Sequence, residues 1–293
     1  KALIKMNLYD DYALTPIDEH LYEGLKYLNS KQLNYHFTIS KNHEQLFNAY
    51  IDKVKADYPN IYVTYSFQKP STDTLAVDMD NDPVIKEDGS YLYRPGGHGA
   101  LIENLNDIDA DIIFIKNIDN ICHKNMLEDT VQSKQQLASI GYAFKTRIDT
   151  YIKSLIKGDD LLEETKAFIH DDLHIHFKRA MTKEDVLKIL NRPLRVCGMV
   201  KNTGAPGGGP FVVDNGDYTD LQIVETSEID MNNQAQVNIL KSSEYFNPVD
   251  LVCFVKDYKG EKFNLLDFIN HDRYFITEKT YQGKKIKALE HPG

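Results

Sequence analysis

The chain has 293 residues, 42% hydrophobic and 27% charged, enough for one large α/β domain or two smaller ones with a sizeable core. Its formal net charge of −10 argues against a non-specific nucleic-acid binder, which needs a basic surface, so no nucleic-acid partner is expected. No apolar run approaches the roughly 20 residues that cross a bilayer, so no membrane association is expected either.

In chain order, Thr15 and Pro16 read as a helix start with Asp18 three residues after the cap. That helix is expected to run to about Leu28, with Leu21, Leu25 and Leu28 on one face. A strand is expected from Leu33 to Ile39, then a helix from Asn42 that Pro59 ends, then strands Ile61 to Phe67 and Ile112 to Ile118. The last of these is apolar enough to be central. Strands alternating with helices indicate parallel βαβ units, with Ile61–Phe67 and Ile112–Ile118 as near neighbours in one mostly parallel sheet. From about Asn125 to Lys157 the apolar positions repeat with a helical period, and Gly158 suits a C-cap. A second helical stretch follows, and Thr182 with Asp185 opens a third that stops before Pro193. Residues 123–192 therefore read as a helical insertion between a first half, 1–122, and a second, 193–293. Strands return at Val196 to Val200, Leu221 to Val224 and Leu251 to Val255, and Gly204 to Gly209 reads as a loop.

Three cysteines, Cys122, Cys197 and Cys253, cannot all pair. Two lie in strand-like apolar runs, as expected of reduced thiols in a reducing, cytoplasmic compartment.

Five clusters carry candidate chemistry. Phe67-Gln68-Lys69-Pro70 follows a strand, where α/β sheets bind ligands, and the Gln68 amide can pair with a donor and an acceptor on a base edge. A polar loop explains the same residues. Gly96, Gly97 and Gly99, around His98, allow close backbone approach, and their N–H groups can cradle an anion or a base; an ordinary turn is the alternative. Asp119, in Asn117-Ile118-Asp119-Asn120, sits where a carboxylate suits Mg²⁺ shared with substrate phosphates, and equally where Asp and Asn form Asx turns. Lys201 to Gly209 can cover a ligand or simply connect. Glu225, in Glu225-Thr226-Ser227-Glu228, can accept from sugar hydroxyls or end a solvated strand. His170 and His174 would share a helix face as a zinc pair, but the spacing matches no closed structural site.

The order of these clusters resembles that of the UDP-sugar pyrophosphorylases. Lys1-Ala2-Leu3-Ile4 with Leu14-Thr15-Pro16-Ile17 is similar to their Pro-Lys element, and His36 to Ser40 to a strand end before the next helix. Phe67-Gln68 resembles the segment whose glutamine reads uracil, and Pro95-Gly96-Gly97-His98-Gly99 a Pro-Gly-His-Gly type turn. Asn117-x-Asp119-Asn120 resembles an Asn-x-Asp-Asn strand end. Val196-Cys197-Gly198, Val224 to Glu228 and Phe246-Asn247-Pro248 resemble sugar-side elements. The helical insertion and the loop Ala205 to Pro210 look like those of an uncharacterised bacterial family related to these enzymes.

The resemblance implies a Rossmann-like nucleotidyltransferase fold, a nucleoside triphosphate and a sugar 1-phosphate as partners, and Mg²⁺ as cofactor. It implies Lys1 on the phosphates, Asp119 on the metal, Gln68, Gly96, Gly97 and His98 around the base, and Asn120, Gly198, Glu225 and Asn247 toward the sugar. It also implies that the chain is cut at both ends, after a glycine-rich phosphate loop and before a further basic phosphate-binding residue. A glycosyltransferase is the competing enzyme, through Asp78-Met79-Asp80 or Asp109-Ala110-Asp111; a non-catalytic binder on the same fold is the other alternative.

Overall fold

The computed structural model describes residues 2–27, 32–204 and 207–293. Lys1, Leu28, Ala205 and Pro206, which enter the expectations above, lie outside the described residues. The fold is mixed α/β. Helix α1 (Pro16–Tyr27) opens with a reciprocal cap: Asp18 accepts from the Thr15 backbone N–H and hydroxyl, and Thr15 Oγ1 accepts from the Asp18 N–H. Strand β1 (Leu33–Thr38), helix α2 (Glu44–Asp57) and strand β2 (Ile61–Ser66) form one βαβ unit with a parallel ladder. Of the odd positions of both strands, Tyr35, Phe37, Ile61, Val63 and Tyr65 form a core with Ile17, Leu21, Phe47, Ile51 and Val54 under α1 and α2. Of the even positions, all but the exposed Tyr62 are polar, so Asn34, His36, Thr38, Thr64 and Ser66 make the opposite face largely polar.

Strand β3 (Ile112–Lys116) follows helix α3 (Ile102–Asp107), and the long helix α4 (Leu127–Lys157) comes next. Gly158 ends α4 in the left-handed conformation, φ 100°, as its C-cap reading requires. Helices α5 (Leu162–Asp171) and α6 (Lys183–Leu190) complete the helical stretch, and Thr182 and Asp185 form the expected capping box on α6. Phe168, Ile169, Val186 and Leu190 pack against Ile148, Ile152 and Leu155 of α4. Strand β4 (Leu194–Cys197) then joins the sheet, and β5 (Gly208–Asp214) and β6 (Tyr218–Glu225) form a hairpin. Helix α7 (Gln234–Ser242) precedes β7 (Asp250–Phe254), and β8 (Phe275–Tyr281) and β9 (Lys284–Glu290) form a second hairpin.

The expectation of a mostly parallel sheet is corrected. Among the described residues β1–β2 is the parallel ladder, whereas β7 lies between β3 and β4 and runs antiparallel to both. Strands Ile61–Ser66 and Ile112–Lys116 are therefore not paired with each other. The reason is the connection: β7 begins directly after the turn at Asn247–Val249, at the end of the sheet where β3 finishes, so it must run back beside β3. Helix α4 lies on one face of this sheet. Gly141 is where it comes closest, since a Cβ there would be 2.3 Å from the Phe254 ring and 3.0 Å from Val196. Lys134 of α4 is fully buried and ion-paired with Asp250, while Lys116 of β3 holds Glu23 of α1 at 2.8 Å. No helix among the described residues is long and apolar enough to cross a membrane. The three cysteines are free thiols.

Candidate functional site

The residues expected around a base assemble at the end of β2. Gln68 donates from Nε2 to Thr72 Oγ1 (3.2 Å), and Thr72 Oγ1 donates to the Lys69 carbonyl (2.7 Å). Gly96 faces the same threonine, for a Cβ on it would stand 2.4 Å from the Thr72 carbonyl oxygen. Helix α3 is pinned here by Asn104, 3% exposed, which donates to Ser66 Oγ (2.8 Å) and to the Phe67 carbonyl (2.7 Å). Sequence reading missed Asn104. It also missed the polar face beside it, where His36 bridges Thr64 Oγ1 and Ser66 Oγ at 2.8 Å each. Burial pushes the His36 imidazole below its ordinary range, so the ring is held neutral. The alternation of apolar and polar residues in both strands was the available signal.

The glycine turn carries chain packing. Gly97 has φ 81°, in the region that favours glycine, and a Cβ there would stand 3.0 Å from Glu290 Cβ and the His291 carbonyl. Gly99 donates its N–H to the His291 carbonyl (3.0 Å), and His291 donates to the Gly96 carbonyl (2.8 Å). The segment after β9 thus lies across the turn, and the Gly99 N–H serves the chain itself. His98 is exposed beside it, its Cβ near the position of a Cβ on Gly293.

The residues expected to face a sugar also converge. Asn247, 5% exposed, donates to the Gly198 carbonyl (2.6 Å) and accepts from the Val249 N–H (2.9 Å), and its own N–H goes to the Gly208 carbonyl (2.8 Å). Gly198 donates to the Asp250 carbonyl (2.8 Å), and Asn120 donates to the Pro248 carbonyl (2.8 Å). These bonds hold Val249 at φ 57°, a strained value for a β-branched residue. Asn120 and Asn247 therefore shape this rim with their amides. Gly208 pairs with Glu225, whose Oε1 accepts from the Gly293 N–H (3.1 Å). Glu225 and Glu228 form a capping box, and Arg273, another residue sequence reading missed, grips Glu228 at 2.7 and 2.8 Å.

Asp119 is exposed in the turn closed by the Asn120 N–H on the Asn117 carbonyl (3.0 Å). Among the described residues no group of three or more His, Cys, Asp or Glu side chains is arranged to hold a metal. The His170–His174 zinc pair does not form, because α5 ends at Asp171 and His174 lies beyond it at φ 52°. His170 instead packs edge-on to His176, with ring centroids 4.4 Å apart. Of the acidic motifs, Asp78 closes a turn onto Asp80 and Asp82, and Asp111 pairs with Lys256 at 2.7 Å. A cleft of about 3120 Å³ opens on His36, Ser66, Thr72, His98, Asn117, Glu225 and Asn247.

Residues 1–293 match the family model described as "Domain of unknown function (DUF4301)". The chain belongs to the DUF4301 family. No curated protein matches this DUF4301 chain. Among solved structures, it is similar to the UDP-glucose phosphorylase from Trypanosoma brucei, with a TM-score of 0.47 and 13% identity. That alignment covers 99% of the DUF4301 chain and 54% of the trypanosomal one, so the chain spans about half the length of that protein.

Proposed function

We propose that this chain is the core of a sugar nucleotidyltransferase, joining a nucleoside triphosphate, UTP in the first instance, to a sugar 1-phosphate with release of pyrophosphate. The observation that supports this most is the meeting of two residue groups far apart in sequence. His98 of the glycine turn and Glu225 at the end of β6 both lie against Gly293, and both line one cleft. Beside the cleft, behind Thr72 of its lining, the base side has a planar amide, Gln68; on the sugar side a carboxylate, Glu225, lines the cleft and suits hydroxyl donors. In the reaction a sugar 1-phosphate oxygen attacks the α-phosphorus in line, the bond from that phosphorus to the α–β bridging oxygen breaks, and pyrophosphate leaves. Such a transfer rests on positioning and charge neutralisation and needs no protein nucleophile.

Mg²⁺ belongs to the proposal as a metal that arrives with the nucleotide. It keeps water and phosphate ligands and needs only one or two carboxylates, so Asp119 would serve it without a cluster of three protein ligands, none of which is found among the described residues. Lys1 is proposed as a phosphate contact. Three free cysteines fit a reducing cytoplasm as the setting.

A non-catalytic nucleotide-sugar binder is the second reading. It is favoured by the amides of Asn120 and Asn247, which are spent on backbone carbonyls. Incubating the protein with UTP, Mg²⁺ and a panel of sugar 1-phosphates, and measuring pyrophosphate, separates the two. Release is expected. Tight binding of a nucleotide sugar without release would leave the binder, and neither would sink both. Gln68→Ala should weaken nucleotide binding by roughly tenfold or more, since a lost amide contact is worth on the order of 1–3 kcal/mol. Equal affinity of variant and parent in calorimetry would remove Gln68 from the base site.

A further inference from the structure

On the polar face of β1 and β2 a chain of hydrogen bonds runs through His36, and its direction is fixed from both ends. His36 stands opposite Thr64 in the ladder, and Ser66 lies two positions further along β2 on the same face, so one imidazole spans both. Thr64 Oγ1 donates to the Tyr35 carbonyl (3.3 Å), so toward the ring it accepts, and the ring proton sits on Nδ1 (2.8 Å). From the other end, the Phe67 carbonyl can only accept. The Asn104 amide nitrogen is therefore the atom that faces it (2.7 Å) and that donates to Ser66 Oγ (2.8 Å). The Ser66 hydroxyl proton is left for His36 Nε2, 2.8 Å away. Both ends give the same tautomer, with Nε2 bare and facing a hydroxyl. Burial, rather than a neighbouring charge, holds this ring neutral.

Such a set comprises a nucleophile, its base and a group that orients the base. Ser66 is the last residue of β2, at the carboxyl end of a parallel strand, where α/β sheets bind ligands. His36, Thr64, Ser66 and Asn104 all line the cleft. The donation by Asn104 carries a cost that a purely structural amide avoids: its buried Oδ1 has no hydrogen-bond partner among the described residues. Helix α3, which brings Asn104 to Ser66, also brings Ile102 and Leu105 to an apolar cluster with Ile113, Ile115 and Leu251. These side chains line the same cleft and give it a wall suited to a hydrocarbon chain.

We propose that Ser66 is an acyl-accepting nucleophile, with His36 as its general base and Thr64 as a positioning residue, and that the cleft hydrolyses carboxylic esters with an apolar acyl group. This second activity does not rest on nucleotide transfer. Ser66 Oγ bonds to the ester carbonyl carbon while its proton passes to His36 Nε2. The bond from that carbon to the alcohol oxygen breaks, and the alcohol leaves with the proton. Water then attacks the acyl carbon and gives a proton to Nε2, and the acid leaves as that proton returns to Ser66 Oγ. Asn104 Nδ2, already 2.8 Å from Oγ, is placed to donate to the carbonyl oxygen as it becomes negative.

The test uses a fluorophosphonate, which phosphonylates activated serines, and p-nitrophenyl butyrate as the ester. Labelling of the parent protein, located by peptide mass spectrometry, should fall on Ser66, and this result depends on no variant's folding. Release of p-nitrophenol should be lost in Ser66→Ala and should drop roughly 100-fold or more in His36→Gln, the scale of a positioned general base. Thr64→Val should lower kcat with KM little changed, and Thr64→Ser should restore it, since the serine keeps the hydroxyl that holds Nδ1. In the parent the rate should be level above pH 6.5 and fall as pH descends below it, because a protonated ring cannot take the Ser66 proton. Labelling at another residue, labelling and turnover unchanged in His36→Gln, or neither labelling nor ester cleavage by the parent would overturn the proposal.

Discussion

Asp119 occupies the third position of a hydrogen-bonded turn and is exposed, so its substitution tests its charge separately from its shape. Asp119→Asn keeps the shape of the turn and removes the charge. Under the proposed function, Mg²⁺-dependent pyrophosphate release should fall on the order of 100-fold, the scale of losing one electrostatic contact to a developing charge. The melting temperature should barely move. A destabilised variant with full turnover would make Asp119 a turn residue and nothing more. Residues of this kind are legible in a sequence because their chemistry is in their type: Gln68, Asp119 and Glu225 could be nominated without a structure. Asn104 and Arg273 could not, because their roles come from partners far along the chain. Asn104 holds Ser66 and Phe67, and Arg273 holds Glu228. The glycine turn shows the reverse case. Its glycines were legible as a site of close approach, but what approaches is the chain's own segment at His291 and Pro292.

At the scale of elements, α4 tests how helix and sheet meet. Replacing glycine by alanine inside a helix is worth about 1 kcal/mol of propensity. At Gly141 the new methyl would lie 2.3 Å from Phe254, itself 3% exposed and unable to move aside. Overpacking of a tight core costs typically 1–3 kcal/mol, so Gly141→Ala should lower stability in denaturant titration despite the better helix former. A stabilised variant would mean that the α4–sheet contact is loose. The helix itself was legible from its period and from Gly158, as were the capping box of α6 and strands β1, β2 and β3 to within a few residues. Two hairpins were not recognised. β5–β6 turns through Asn215-Gly216, and β8–β9 through Gln282-Gly283 with φ 47° and 79°. Of their four flanks only Leu221 to Val224 stands out in sequence as a strand, and Gly208 and Gly209, expected in a loop, begin β5 instead.

At the scale of the whole molecule, two histidines at the heart of the first half make stability depend on pH. Burial, and then the Lys116 ammonium, push His20 below the ordinary value of 6.5, and burial does the same to His36. Unfolding releases both rings to 6.5, so below that value the unfolded chain takes up protons that the folded chain refuses. The unfolded state binding more protons means stability falls as pH falls. This contribution is therefore complete above 6.5 and is lost on descending from 6.5 toward the folded values. Thermal melts from about pH 8 to about pH 5.5 should show the loss, before the carboxylates titrate. A His20→Gln/His36→Gln variant should flatten the profile, and an unchanged slope in that variant would remove the histidines as its source. By itself the sequence determined the local elements and the residue types available for chemistry, because periodicity, caps and strand ends are written within a few neighbouring residues. The tertiary structure alone decided the strand directions, the meeting of Glu225 with His98 at Gly293 and the close approach of α1 to both β1 and β3. Each depends on which distant segment arrives at an edge, and from which end of the sheet it enters.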